Sequence, residues 1–331
     1  MRYFWCNKPI THRTKRNNIT LFIMASLYVV LGGSCQGSGN AWTESDMGAY
    51  LMAYHKDEDH GLHLAVSLDG YHFTALRGDR PFIAEDTIAM QKGIRDPHLF
   101  RAPDGCFYLA MTDLHIYARE KGYRQTEFER DKEAYGWGNN KGIVLMKSAD
   151  LKHWSRSNID LTLLGGKWKD VGCVWAPETC YDDKAGKLMV HFTVRFGNGL
   201  NSIYYAYADN DFTCLIGEPK PLHGALEKGY SVIDSDIVKA GGKYHLFYVS
   251  HENGACIQHA VSDSINGGYV NDTCYYDGES LGREAPSCWK RIGRYYLLYS
   301  SWTRGYEIGY ATAPAITGPW TKGAANPIYG A

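Results

Sequence analysis

Apolar and polar residues alternate along most of the chain in short runs, and these runs are separated by turns rich in Gly, Asp and Pro. Runs of this length with a period of two are typical of β-strands. The 3.6-residue period of amphipathic helices is essentially absent. The pattern therefore predicts an all-β protein built from many short strands.

One sequence unit recurs five times from about residue 49. It contains a strand bearing an acidic residue, a Gly turn, a Tyr-rich strand, a strand of the form IxxAxS, and an Asp or Gly turn with an aromatic residue. The copies span 48–76, 94–155, 174–213, 232–270 and 283–320. Each copy predicts a four-stranded antiparallel sheet, and repeated sheets of this kind stack around an axis. The sequence therefore predicts a five-bladed β-propeller over residues 49–331.

The first copy lacks its opening strand, so the innermost strand of that blade is expected from the C-terminus. Either "ANPIYGA" (325–331) supplies this closing strand or the ring is left incomplete.

Acidic residues open the later copies, at positions that line the axis of a propeller. The acids are Asp96, Glu178, Asp234 or Asp236, and Glu284. Carboxyl groups gathered in a poorly solvated funnel repel one another, which raises some of their pKa values and allows one to act as an acid while another acts as a base. A wet channel lined by polar residues is the structural alternative.

The N-terminus predicts export. Basic residues precede the apolar run "ITLFIMASLYVVLGG" (19–33), which is short for a membrane span and is followed by small residues, as in a secretory signal. "LGGSC" resembles a bacterial lipobox ending at Cys35. We expect a signal peptide over 1–34, a lipid anchor at Cys35 and a linker over 35–48, with ordinary cleavage nearby as the alternative.

Composition narrows the range of partners. The formal net charge is -1, and the body of the chain contains no run of Lys or Arg. This charge pattern argues against nucleic acid as a binding partner. The 25 Tyr and 9 Trp supply aromatic faces with polar tips that can stack on a sugar, although β-proteins favour these residues in any case. The seven cysteines after Cys35 are expected to be mainly buried free thiols, and no spacing typical of a zinc site is present.

Four short motifs open successive copies in the order "RDPHLF", "VWAPET", "VIDSDIV" and "REAPSCW". Together they resemble the signature strands of glycoside hydrolase family 43, the five-bladed propeller arabinofuranosidases and xylosidases. The resemblance covers nearly the whole chain after the signal. It implies an inverting glycosidase that acts on terminal α-L-arabinofuranosyl or β-D-xylosyl residues, or on galactosyl residues, of plant oligosaccharides or polysaccharides.

The resemblance assigns catalytic roles to three residues. Asp96 corresponds to the general base, Glu284 to the general acid and Asp234 to the residue that tunes and orients the acid, with Asp236 as the competing choice for the third role. The family's inverting chemistry requires the acid and base carboxyls to be about 6.5–9.5 Å apart.

Substrate contacts are expected at Trp175, Glu178, Trp302 and Arg304. The resemblance places Trp175 on an aromatic wall beside the sugar, with blade packing as the alternative, and Glu178 against a substrate hydroxyl. The insertion between His115 and Lys141 is expected either to form a lid or subsite wall, or to be a solvated loop. Its stacking candidates are Tyr123, Tyr135 and Trp137.

The family often carries a calcium ion at the ring centre with a histidine from the closing strand nearby. No His follows His259, so this chain departs from the pattern there. The sequence therefore allows a structural calcium ion but assigns no metal ligand. The reaction that the resemblance implies requires no cofactor.

Two other functions compete with the glycosidase. A sugar-binding propeller that kept the carboxyls but lost activity predicts glycan binding without release of sugar. A retaining enzyme of the invertase type shares the fold and an "RDP" motif, but this chain has "REAP" where that type usually has "EC".

Overall fold

The computed structural model describes residues 48–272, 282–301, 307–324 and 326. The predicted signal peptide, the lipidation site at Cys35 and nearly all of the linker lie outside these residues. Of the helices in the described part of the chain, none is long and apolar enough to cross a membrane.

The described residues form five antiparallel sheets, which confirms the predicted all-β propeller. The first blade has three strands: β1 (Tyr50–Tyr54), β2 (His63–Ser67) and β3 (Thr74–Ala75). The second comprises β4 (Ile94–Arg101), β5 (Phe107–Asp113), β6 (Gly142–Ser148) and β7 (Ser155–Asp160). The third comprises β8 (Val171–Asp182), β9 (Lys187–Phe196), β10 (Ser202–Ala208) and β11 (Leu215–His223).

The last two blades repeat the four-stranded arrangement. The fourth comprises β12 (Val232–Ala240), β13 (Lys243–Ser250), β14 (Cys256–Ser262) and β15 (Val270–Asn271). The fifth comprises β16 (Arg283–Arg291), β17 (Arg294–Ser301), β18 (Glu307–Ala313) and β19 (Thr321–Lys322). Two single-turn helices, α1 (Glu85–Ile88) and α2 (Lys132–Tyr135), lie in connections.

Hydrophobic cores lie between neighbouring blades. Tyr108 of the second blade and Phe192 of the third belong to one buried cluster, which also contains Trp168 from the intervening connection. Met189 and Tyr248 belong to a cluster between the third and fourth blades. Each sheet buries its two faces against its neighbours, so strands at every position of the ring can carry apolar residues on both faces.

The first and fifth blades meet through a cluster of tyrosines and one arginine. The Nε of Arg291 donates to the hydroxyl of Tyr50 at 2.7 Å, and the hydroxyls of Tyr71 and Tyr296 lie 2.6 Å apart. Side chains therefore connect the two ends of the described ring. The predicted closing strand "ANPIYGA" lies outside the described residues except for Asn326, whose side-chain amide bonds both backbone polar groups of Tyr310.

Each of the four inner strands β4, β8, β12 and β16 contains a β-bulge at its signature motif. The bulges contain one residue with left-handed backbone: Asp96 (φ 49°), Ala176 (φ 42°), Asp234 (φ 47°) and Ala285 (φ 51°). Residues other than Gly rarely adopt this conformation, which is commonly found at functional sites. The repeated bulge therefore marks one level of the funnel on every inner strand.

The cysteines agree only partly with the expectation of free thiols. Cys173, Cys180, Cys214, Cys256 and Cys288 are free. Cys106 is instead disulfide-bonded, which corrects the expectation for that residue. Its buried position just before β5 gave no signal for pairing in the sequence.

Candidate active site

Asp96 occupies the bulge of β4 and is held from two sides. Its Oδ2 accepts a hydrogen bond from the hydroxyl of Thr112 at 2.8 Å, and its backbone N–H donates to Nδ1 of His55 at 3.2 Å. The hydroxyl of Thr112 also accepts the backbone N–H of Ala176 at 2.8 Å, so it links the second blade to the third. The carboxylate of Asp96 is therefore fixed in one orientation by a buried side chain.

Glu284 precedes the left-handed residue Ala285 on β16. Burial raises the pKa of its carboxyl, the negative charge of Asp96 raises it further, and the positive charge of Arg95 partly offsets this rise. A raised pKa favours the protonated form, which is the form that a general acid requires.

The pKa of Asp234 responds to both of these carboxyl groups. Burial raises its pKa well above the ordinary value, and the charges of Glu284 and Asp96 raise it further. Its Oδ2 accepts the backbone N–H of Ala285 at 3.2 Å, and this bond favours the ionised form. The structure thus brings Asp96, Asp234 and Glu284 together in one funnel, as the propeller topology predicts.

A second carboxyl pair lies next to the first group. Burial is the main cause that raises the pKa of Glu178 well above its ordinary value and that of Asp236 to about 6. The charge of Asp236 raises the pKa of Glu178 further, as expected for two neighbouring carboxyl groups. Glu178 thus faces Asp236, with the Nε2 of His98 at 3.8 Å from its Oε2.

Asp234 and Asp236 both bind the strand that carries Glu284. Asp234 accepts the N–H of Ala285, and Asp236 accepts the N–H of Cys288. Both carboxyls therefore point toward β16, although Asp234 lies in the bulge that interrupts the alternation of β12. Asp234 and Asp236 thus make two neighbouring contacts with β16.

The loop between β1 and β2 adds residues that sequence reasoning missed. Arg95 donates to Oδ1 of Asp57 in this loop. Burial alone would raise the pKa of Asp57, but the hydrogen bond with His55 and the charges of Arg95 and His55 lower it overall. The mixed acidic and basic residues of "HKDEDH" could have indicated that this loop contributes to the site. Such residues are equally typical of a solvated turn.

A cavity of about 830 Å³ opens beside Glu284. Its remaining wall combines the ion pair of Arg95 and Asp57 with charged and apolar residues of the insertion: Ile116, Tyr117, Arg119, Glu120, Glu127, Phe128 and Trp137. The volume lies within the range of about 300–1,000 Å³ that is typical of small-molecule sites. The insertion therefore forms a wall of this cavity. This agrees with the expectation of a lid or subsite wall and not with that of a solvated loop.

The insertion is anchored to the propeller through polar contacts. An Nη of Arg195 donates to the backbone carbonyls of Tyr135 and Trp137, at 2.8 Å each. The buried side chain of Asn140 bonds the N–H and carbonyl of Val174 on β8. The indole N–H of Trp175 donates to the carbonyl of Gly138 at 2.9 Å. Such contacts are typical of a fixed wall and contrast with the alternative of a solvated loop.

The three aromatic candidates of the insertion take different positions. Trp137 lines the cavity with 49% of its surface exposed. The hydroxyl of Tyr123 donates to Glu85 at 2.8 Å, and the ring of Tyr135 lies 3.7 Å from the guanidinium of Arg130. Trp175 packs edge-on against Trp137, with ring centroids 6.0 Å apart, which favours its packing role. The predicted contacts Trp302 and Arg304 lie outside the described residues.

A metal site depends on the donor groups that the described residues bring together. Calcium needs several oxygen ligands from separate groups. In the described ranges, no three His, Cys, Asp or Glu side chains are arranged to hold a metal ion. The described side chains therefore supply no ligand set of this kind, and no metal ligand is assigned.

A five-bladed propeller with three carboxyls in its funnel and a carbohydrate-sized cavity beside one of them defines a glycosidase-type site. A family model described as "Probable glycosyl hydrolase domain", from the group related to glycoside hydrolase family 43, matches residues 45–320. The chain belongs to this family.

Individual relatives agree with this class. An α-L-arabinofuranosidase of Bifidobacterium longum subsp. longum is 28% identical over 182 residues, which are 49% of this chain and 16% of that protein. The chain thus spans about a sixth of the length of this curated relative.

Solved structures share the fold. The GH43 BlXynB protein from Bacillus licheniformis superposes with a TM-score of 0.57 at 15% identity, covering 86% of this chain and 53% of that one. The α-L-arabinofuranosidase PaAbf62A from Podospora anserina, solved with cellotriose, has a TM-score of 0.50 at 15% identity, covering 72% and 70% of the two chains.

Proposed function

We propose that this protein is an exported glycosidase that removes terminal α-L-arabinofuranosyl or β-D-xylosyl units from plant polysaccharide fragments with inversion at the anomeric carbon. Galactosyl units are a third candidate. The observation that carries the proposal is the meeting of Asp96, Asp234 and Glu284 at one funnel, where burial and like charge raise the pKa values of Asp234 and Glu284.

Glu284 acts as the general acid in this proposal. Its carboxyl borders the cavity, and burial and the charge of Asp96 raise its pKa, which favours the protonated form. Asp234 accepts the N–H of Ala285 beside Glu284, and in the proposed reaction it orients the acid that delivers the proton. Transfer of this proton to the glycosidic oxygen lets the C–O bond break as a neutral alcohol leaves.

Asp96 acts as the general base. The hydroxyl of Thr112 fixes one of its oxygens and leaves the other free to accept a proton from water. The water oxygen forms the new bond to the anomeric carbon on the face opposite the leaving group, and its proton passes to Asp96. Glu284 is left ionised and Asp96 protonated, and exchange with solvent restores both.

The experiment uses 4-nitrophenyl α-L-arabinofuranoside and 4-nitrophenyl β-D-xyloside with the wild type, Asp96→Ala and Glu284→Ala. We expect the wild type to release nitrophenol from at least one substrate. Since acid and base catalysis each contribute about 10²–10⁴-fold, we expect losses of that order in the Asp96 variant. The Glu284 variant should lose less on this activated leaving group than on an unactivated disaccharide. Full activity in both variants would refute the assignment.

Export and lipidation are part of the proposal and rest on the N-terminal sequence alone. Labelling with a radioactive fatty acid in a bacterial host should mark the wild type and not Cys35→Ser. Label on both proteins, or on neither, would contradict lipidation at Cys35.

A further inference from the structure

The wall built by the insertion lines the same cavity as Glu284, the predicted general acid. In an inverting hydrolysis the general acid contacts the glycosidic oxygen, and the base acts on the opposite face of the sugar. Of the three predicted catalytic carboxyls, the cavity wall includes that of Glu284. The cavity beside Glu284 therefore receives the part of the substrate beyond the scissile bond.

Trp137 is suited to bind a sugar ring in this cavity. Its indole is 49% exposed although edge contacts with Phe128 and Trp175 hold it, with ring centroids 5.7 and 6.0 Å apart. Its backbone carbonyl is fixed by Arg195. An aromatic face that is both exposed and immobilised stacks on the apolar face of a sugar at small entropic cost.

The charges of the cavity favour a neutral ligand. Arg95 is paired with Asp57, and Arg119 shares the wall with Glu120 and Glu127. The wall thus carries two basic and three acidic side chains besides Glu284, without the excess of positive charge that a uronic acid or phosphate would need.

From this geometry we propose that the insertion forms a leaving-group subsite in which Trp137 stacks on a neutral sugar residue adjacent to the scissile bond. This inference rests on the proposed function and deepens it. The enzyme then prefers glycosylated oligosaccharides to substrates with a minimal leaving group, and Trp137 is a specificity-determining residue.

Glycosyl fluorides provide the test because fluoride leaves without occupying the subsite. Wild type, Trp137→Ala and Trp137→Phe are compared on α-L-arabinofuranosyl fluoride against an arabinofuranosyl-substituted xylotriose, and on β-D-xylosyl fluoride against xylobiose. We expect Trp137→Ala to lower kcat/KM on the oligosaccharide about tenfold or more, and to change the fluoride reaction less than about twofold. Trp137→Phe should recover part of the loss.

Two controls separate binding from folding. Leu163→Ala truncates another exposed apolar side chain and should change neither reaction. Melting temperatures show whether Trp137→Ala loosens the insertion, and equal losses on the fluoride and the oligosaccharide would overturn the subsite. Unchanged kcat/KM of Trp137→Ala on the oligosaccharide would also overturn it. A wild type that cleaves none of these substrates would instead refute the proposed arabinofuranosidase or xylosidase activity.

Discussion

Thr112 offers a test of the general base that leaves the carboxyl in place. Its buried hydroxyl donates to Oδ2 of Asp96 and accepts the backbone N–H of Ala176, both at 2.8 Å. Thr112→Val keeps the shape of the side chain and removes both bonds. The variant therefore perturbs the ionised form of Asp96 and leaves one buried N–H unpaired.

The expected size follows from the two lost bonds. A hydrogen bond to a charged group contributes about 1.5–3 kcal/mol, and about 1.4 kcal/mol corresponds to a tenfold change in rate. Because this bond orients the carboxyl of Asp96, its loss should lower kcat/KM about tenfold or more. The unpaired N–H of Ala176 should lower the unfolding free energy by about 1–3 kcal/mol.

Thr193→Val is the matched control. Thr193 is also buried, lies on β9, and accepts the backbone N–H of Asp234 at 3.1 Å. We expect a similar loss of stability with a smaller loss of kcat/KM. The assay is kcat/KM on the aryl glycoside, with urea unfolding of each variant. An unchanged kcat/KM in Thr112→Val, together with the expected loss of stability, would refute the role of Thr112 in orienting the general base Asp96.

Three further predictions test other parts of the structure. Asp236→Ala removes the acceptor for the N–H of Cys288 and should lower kcat about tenfold or more, because β16 and its Glu284 are then misplaced. Asp236→Asn should retain more activity, because its amide oxygen can accept that N–H. Equal kcat in the two variants would contradict this prediction. Arg195→Met removes the bonds that hold the insertion and should speed its cleavage by trypsin, and an unchanged digestion rate would show that other contacts suffice. Three fully or almost fully buried histidines should make the protein acid-sensitive, because burial lowers their pKa values below the ordinary 6.5: His60 to about 3, His191 to about 3 and His259 to about 4. Below about pH 6.5 the unfolded chain takes up protons that the folded chain does not. Each histidine should therefore lower the unfolding free energy by up to about 1.4 kcal/mol for every unit by which the pH falls. A urea midpoint that stays constant from about pH 6.5 to about pH 5 would contradict this prediction.

The blade repeat was predictable because strand periodicity and turn residues are local properties of the sequence. The convergence of Asp96, Asp234 and Glu284 followed from the topology, since each opens an inner strand of a ring. The electrostatic coupling of Glu178 to Asp236 did not follow, because it depends on how two inner strands approach each other.

Other parts of the site depend on tertiary contacts that carry no local pattern. The left-handed bulge at Ala176 has no acid to reveal it, although it matches the bulges at Asp96 and Asp234. Tyr123 and Trp137 were equivalent candidates in the sequence. Only the fold shows that Tyr123 bonds Glu85 and that Trp137 faces the cavity.

The stereochemistry of the first-formed sugar tests the central claim most directly. Proton NMR can follow the anomeric signal during rapid hydrolysis of the substrate that the wild type cleaves, before mutarotation mixes the anomers. Single displacement, with water activated by Asp96 and the leaving oxygen protonated by Glu284, predicts that the inverted anomer appears first. First appearance of the retained anomer would contradict that mechanism.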